Sequence, residues 1–210
     1  MKKYLLLIVF ALFFAATSVS AQEFDYDYFY NLATEERYEL EVSLDEDDNI
    51  EHIFIEVDGE TYDQVYIKVK AEQLNAFHSA LRKVKSKFLE WEQVAKDNGV
   101  TDFEKEIEVD FPELEAYWYC DDDWKDSFSS EPYAMFIVDE EGDSYVGIGD
   151  MVEDWEDDDY YETYFLVLAY GVDFDDLINK TTISYIRQKI NEINVDSLFQ
   201  NDEDVDSLFS

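Results

Sequence analysis

The sequence predicts an α+β fold: an antiparallel β-meander plus an amphipathic helix, occurring twice along the chain, after a cleaved signal peptide. Three observations carry this reading. Apolar and polar residues alternate over 37–44 and again within 53–70, the period-two signature of half-buried strands. Over 72–98 the apolar spacing changes to three and four, the signature of a helix. Strand-like and then helix-like patterns return in the same order between 107 and 193. The expected division is a signal peptide at 1–21, a meander plus long helix at 22–99, a second meander plus helix at 100–194, and an acidic tail at 195–210. The two middle parts form either separate units or one compact domain.

Each element has its own local reason. Residues 22–36 alternate acids with aromatics and read as a leading strand or a loose arm. Tyr38, Leu40, Val42 and Leu44 share one face of a strand, with Arg37, Glu39, Glu41 and Ser43 on the other. Asp45–Asn49 is a turn. Ile53–Val57 is a second strand, and Asp58-Gly59 predicts a tight hairpin because both residues tolerate positive φ. Tyr62–Lys70 returns as a third strand.

The helix over 72–98 lines up Leu74, Phe77, Leu81, Val84, Phe88, Trp91 and Ala95, and Asn98-Gly99 closes it. Lys68, Lys70 and the polar helix residues Arg82, Lys83, Lys85, Lys87 and Lys96 read as a basic band on an acidic protein. In the second half, 107–109, 116–119, 133–138, 144–148 and 163–169 read as strands, with Asp139–Asp143 as a hairpin turn. Helical spacing resumes at Phe174, Leu177 and Ile178, then at Ile183, Ile186, Ile190 and Ile193. Thr181 or Thr182 is the expected cap of the last helix.

The N-terminus gives the expected address. Lys2 and Lys3 precede an apolar run from Tyr4 to Ala16, and small residues lead to a cut after Ala21. The run is too short for a bilayer, which needs roughly 20 apolar residues. A secreted or periplasmic protein beginning at Gln22 is expected, with no membrane association after cleavage. The formal charge is −38, from 53 acidic and 15 basic residues. Cleavage takes Lys2 and Lys3 away and moves the charge to about −40, against a magnitude of roughly 2–8 for an ordinary small domain. Such a field repels phosphate backbones and excludes nucleic acid as a partner. Leu, Ile, Val and Phe still make up about 28% of the exported part, above the roughly 20% that marks disorder. A folded core with acidic faces is expected. Like-charge crowding of carboxylates predicts stability that rises as pH falls from 7 towards about 5.

Catalytic chemistry is poorly supplied. One cysteine excludes an intrachain disulfide and a multi-cysteine zinc site. Cys120 has no neighbouring base in sequence and reads as a buried inert thiol. His52, in a strand, and His78, at the edge of the helix stripe, read as ordinary boundary histidines. Gly147-Ile148-Gly149 lacks the third glycine and the helix of a phosphate loop. Asp45, Asp47, Asn49, Glu51 and Glu56 match EF-hand spacing, but Ile50 stands where that loop needs glycine, so a solvated turn is the reading. Asp154-Trp155-Glu156 reads as an acidic loop with a packed Trp rather than a sugar subsite. Val195–Phe199 and Val205–Phe209 repeat literally, with a docking peptide or glycan acceptor as functional alternatives to a plain acidic terminus.

No catalytic or cofactor-binding residue is assigned, and no cofactor is expected beyond weak, non-specific calcium binding to the acidic runs. The metal-site residues are left unknown. The expected function is a non-catalytic binding or interaction module with a strongly acidic surface, for a cationic ligand or a basic protein surface. The alternative is a secreted polymer hydrolase using a carboxylate pair.

Overall fold

The computed structural model describes residues 22–32, 34–154 and 161–200. The expected signal peptide, Trp155, Glu156 and the second Val-Asp-Ser-Leu-Phe copy lie outside the described residues. The strands are β1 Gln22–Asn31, β2 Glu36–Leu44, β3 Ile50–Gly59, β4 Val65–Lys70, β5 Phe103–Ile107, β6 Glu115–Cys120, β7 Asp123–Asp126, β8 Tyr133–Val138, β9 Ser144–Glu153 and β10 Tyr161–Leu168. The helices are α1 Leu74–Asn98, between β4 and β5, then α2 Gly171–Lys180 and α3 Ile183–Gln200. The class is α+β, mostly antiparallel sheet.

The strands run β5-β8-β9-β10-β3-β4-β6-β7, and β2 joins β3 with β1 outside it. The N-terminal part of β3 pairs with β2, from Leu40↔Ile55 to Leu44↔Ile50. Its last residues, Asp58 and Gly59, pair instead with Phe165 and Tyr164 of β10. These two residue pairs are the ladder joining β5, β8, β9 and β10 to the other strands, while the two halves of the chain also meet where β4 pairs with β6, from Val65↔Trp118 to Lys68↔Glu115.

Asp58-Gly59 therefore does not form the expected tight turn. Both residues stay in the strand, and residues 60–64 make the connection. The reason is Glu162, a fully buried carboxylate on β10. It accepts the N–H groups of Glu60 at 3.0 Å, Thr61 at 3.1 and 3.2 Å, Tyr62 at 2.7 Å and Thr163 at 2.7 Å. Gly59 is required here by crowding: a Cβ would stand 2.4 Å from the Tyr62 carbonyl and 2.5 Å from Val65.

Other expectations are sharpened or corrected. The acid–aromatic segment at 22–36 is a strand, β1, paired along β2. The strand expected at 107–109 runs instead over Phe103–Ile107 and pairs with β8. Strand β7 was not foreseen. Asp121 and Asp122 both have positive φ, 51° and 63°, and make the two-residue turn between β6 and β7. Gly147-Ile148-Gly149 lies inside β9, where a Cβ on Gly149 would meet the Tyr164 carbonyl at 1.9 Å. Gly99 closes α1 at φ 60°, as its sequence predicts. Thr182 caps α3 by accepting the Tyr185 N–H, while Thr181 ends α2.

Helix α1 is shared by both halves. Leu81, Val84 and Phe88 are fully buried. The ring neighbours of Phe88 are Phe136 of β8 and Phe174 of α2, at 6.1 and 5.9 Å, so its contacts reach beyond the first meander. One continuous apolar cluster draws on β1 through α3. Helices α2 and α3 close over β1: Lys180 donates to the Tyr28 carbonyl, and Tyr185 donates to Asp27. His78 is not a boundary residue. It is 5% exposed and donates from Nε2 to Thr181 Oγ1 at 2.8 Å, since that hydroxyl donates onward to the Leu177 carbonyl. Burial, helped by Arg82, lowers the His78 pKa to about 4.

Two outcomes follow from this packing. Phe88→Ala should cost about 3–5 kcal/mol in urea denaturation, because its ring is enclosed on several sides. Lys83→Ala, on the exposed side of α1, should change stability by less than about 0.5 kcal/mol.

His78 binds fewer protons folded than unfolded between its depressed value and its ordinary one. Its contribution is therefore lost as pH falls through that window. Between about pH 7 and pH 4.5 the protein should lose on the order of 2 kcal/mol that a His78→Gln variant does not lose. Parallel stability profiles for the two proteins would overturn this role for His78.

Candidate functional site

The alternation that sends Leu40, Val42, Ile53, Ile55, Ile67 and Trp118 into the core sends their neighbours to the outer face of the first sheet. Register then sets which of them meet. Glu41, Phe54, Lys68 and Glu115 form one row across β2, β3, β4 and β6. Glu56, Tyr66, Tyr117 and Asp126 form the next, across β3, β4, β6 and β7.

The middle of this face is aromatic. Tyr117 and Trp124 stack at 4.4 Å with planes 9° apart. Phe54 lies 6.0 Å from Tyr117, and Tyr66 lies 6.0 Å from Trp124. Tyr119 adds a further contact to Trp124 at 5.2 Å. Phe54 and Tyr66 are buried by this layer although they lie outside the main core. Trp124 and Tyr119, each 37% exposed, open it to solvent at the β7 edge.

The other side of the face is acidic. Asp25 of β1 lies opposite Glu41, and a bulge between Asp25 and Asp27 shifts the register of β1. The bulge lets Tyr26 and Phe29 both face the core while Asp25 faces out. The carboxylates of Asp25, Glu39 and Glu41 converge to within 4.8 Å of one another. Oxygen ligands at this spacing suit a hard cation. Among the described residues this is the set close enough to hold one, and it includes none of the acidic runs noted in the sequence.

Tyr66 joins the two sides, its hydroxyl reaching Glu39 Oε2 at 3.5 Å. Where β2 and β3 diverge, Glu56 accepts the Glu39 N–H at 2.7 Å. Burial pushes the Glu56 carboxyl up; the Glu39 N–H opposes this, and neighbouring carboxylates add to it. Burial, with Glu41 beside it, likewise raises the Tyr66 hydroxyl.

The basic band does not persist as one surface. Lys68 and Lys70 lie on this outer face, whereas the helix lysines belong to α1. Lys68 sits 3.2 Å from Glu115 and 3.4 Å from Asp126, and Lys70 sits 2.8 Å from Glu115. Burial pulls the Lys68 ammonium down, but Asp126 and Glu115 outweigh it and hold it above its ordinary value. On α1, Lys85, Lys87 and Lys96 pair with Asp175, Glu90 and Glu92.

The remaining sequence candidates fall elsewhere. Asp45 spends its carboxylate inside its own turn, on the N–H groups of Asp47 and Asn49, while Glu51 and Glu56 belong to β3, so no EF-hand loop forms. His52 lies on the outer face with Nδ1 3.2 Å from Ser43 Oγ, its pKa lowered by burial and Lys68. Cys120 is buried. Asp154 is buried with Lys125 Nζ at 3.6 Å. No described helix is long and apolar enough to cross a membrane.

Comparison with known proteins finds no matching family model, curated protein or solved structure.

Proposed function

We propose that this chain is an exported, non-catalytic binding module whose acidic and aromatic outer sheet face takes a cationic ligand or a basic protein surface. The observation that carries the reading is the convergence of Asp25, Glu39 and Glu41 beside an open aromatic layer. Carboxylates attract the cation, and ring faces hold its apolar stem or its charge. The charge of the whole chain would speed encounter with such partners. A hydrolase needs its carboxylates around a substrate in a cleft. This trio stands on the surface of a sheet, which favours binding over cleavage. Export rests on the pattern at 1–22. The reading of two duplicated units draws support from element order, since β2-β3-β4 runs into α1 and β8-β9-β10 runs into α2.

The binding test uses a labelled penta-lysine peptide and separates the site from the field. Glu39→Gln/Glu41→Gln should weaken binding by at least about fivefold at moderate salt. Glu46→Gln/Asp47→Asn removes the same charge from an exposed turn and should leave affinity within about twofold. Equal losses in the two variants would reduce the interaction to net charge alone and overturn the site.

Export has its own measurement. Mass spectrometry of the protein released by its native host should find Gln22 at the N-terminus, and an intact Met1 would overturn that part of the reading.

A further inference from the structure

The strands β8, β9 and β10 have a side that the first site does not use. Ala134, Phe136 and Val138 point inward, where Phe88 of α1 meets Phe136 at 6.1 Å. The residues between them point outward. Register sets the outward residues in rows: Tyr133, Gly149 and Phe165 form one, and Met135, Gly147 and Val167 the next. Ile137 and Tyr145 continue this side at one end, Met151 and Thr163 at the other. Tyr133 is 39% exposed, Met151 63%, and Tyr161, at the start of β10, 57%.

Two features distinguish this side. Its floor is low along β9. A Cβ on Gly149 would stand 2.8 Å from the Phe165 ring, and one on Gly147 would stand 3.7 Å from it, so that ring lies across both glycines. The side is also uncharged. The chain has 53 acidic and 15 basic residues, yet every outward position within 133–137, 145–151 and 163–167 is neutral. Charges stand at the rim, with Glu104 and Glu106 beside β8, Asp58 beside Phe165, and Glu153 beside Tyr161. Among the neutral positions, the hydroxyls of Tyr133, Tyr145 and Thr163 are interleaved with the apolar groups of Met135, Ile137 and Phe165.

We propose that this side is a second binding surface, for a neutral glycan whose sugar rings present flat C–H faces. The rings of Tyr133 and Phe165 take those faces, and the hydroxyls of Tyr145 and Thr163 bond sugar hydroxyls. Charge selects this class of partner. A polyanion is repelled by the field of the whole chain. A polycation finds no carboxylate within the rows and is drawn to the acidic outer face of β1 and β2 instead. A wholly apolar partner would strip water from the hydroxyls without replacing the lost bonds. Area selects against a second copy of the chain. Three strands about 4.8 Å apart, each about seven residues long, present roughly 300 Å². A stable dimer buries roughly 800 Å² per partner.

The test is a titration of the full exported chain with cellohexaose, followed by ¹H–¹⁵N NMR. Saturable shifts should centre on the amides of 133–137, 145–151 and 163–167. Affinity should stay within about twofold from low to high salt, because no charged group takes part. Hexagalacturonate, an anionic oligomer of the same length, should bind at least about fivefold more weakly. Tyr133→Ala should weaken cellohexaose binding at least about fivefold, whereas Tyr133→Phe, which keeps the ring, should stay within about twofold. Thermal melts check that each variant is folded. The absence of saturable shifts, shifts centred elsewhere, a steep salt dependence or a Tyr133→Ala variant that binds as well as the parent would each overturn the proposal. So would a Tyr133→Phe variant as weak as Tyr133→Ala, since the ring would then contribute nothing. Sedimentation of the free protein should give a monomer; a dimer lost in Tyr133→Ala would make a second copy the occupant and overturn the glycan. Glu39→Gln/Glu41→Gln should leave this titration unchanged; a loss there would place the ligand on the outer face of the first sheet and overturn the second surface while sparing the first.

Discussion

The buried carboxylate of Glu162 is the constraint on which the architecture depends. The strands β1–β4, β6 and β7 share with β5, β8, β9 and β10 a ladder of only two residue pairs, at Asp58 and Gly59 of β3. Such a short ladder does not fix an orientation by itself. Glu162 extends it by gathering the N–H groups of three successive residues beyond β3, and Glu60 adds a backbone bond to the Thr163 carbonyl at 2.8 Å. A carboxylate surrounded by N–H donors is stabilised without a cation, through charge-assisted hydrogen bonds and the concentrated amide dipoles. With this junction set, β8 and β9 stand where α1 can cover them. The Phe88–Phe136 and Trp91–Phe136 contacts follow from that placement. The Gly59 backbone is crowded for the same reason.

The acidity of the chain is managed locally. Turn acids such as Asp45 and Asp139 accept N–H groups in their own turns. Cross-strand acids such as Glu115 take lysines, and these lysines hold the Glu115 carboxyl below its usual value although burial pushes it up. Other acids are raised: Asp58 by burial, with Tyr38 donating to it, and Asp173 by burial against N–H groups of Ala169 and Tyr170. These two sets respond oppositely to acid. Raised carboxylates favour the folded state as pH falls, whereas depressed ones such as Glu115, together with His78, oppose it. The uniform gain at low pH expected from crowding alone is thus divided between groups of both signs. The difference arises because a net charge counts acids without regard to what each one touches.

The two candidate sites differ in how far they can be read from sequence. Glu39 and Glu41 stand out on the polar face of an alternating strand, so their outward direction was legible. Their meeting with Asp25 was not, because it depends on the register of β1 and on a bulge that no local pattern marks. The aromatic layer has a similar origin: Tyr117 and Trp124 stack only because β7 folds back on β6 through Asp121-Asp122. The role of that acidic pair is conformational, since Asp tolerates the positive φ that the turn demands. The uncharged side of β8, β9 and β10 was least legible, as its rows join residues of three strands across two registers.

The sequence alone determined the elements whose causes are local. The α+β class, the long helix with its Gly99 cap, the Asp139–Asp143 hairpin and the inward faces of β2 and β4 each follow from periodicity or turn chemistry within one short window. Tertiary structure decided what depends on pairing between distant segments: the fork at the end of β3, the sharing of α1 between both halves, the burial of His78 against Thr181, and the separation of Lys68 and Lys70 from the lysines of α1. The physical reason is that side-chain direction is fixed by backbone period, residue by residue. A partner across a sheet is fixed by register, and a one-residue shift in register reverses every face. Junctions such as Glu162 set that register, and the chain brings the two sides of such a junction together only when it folds.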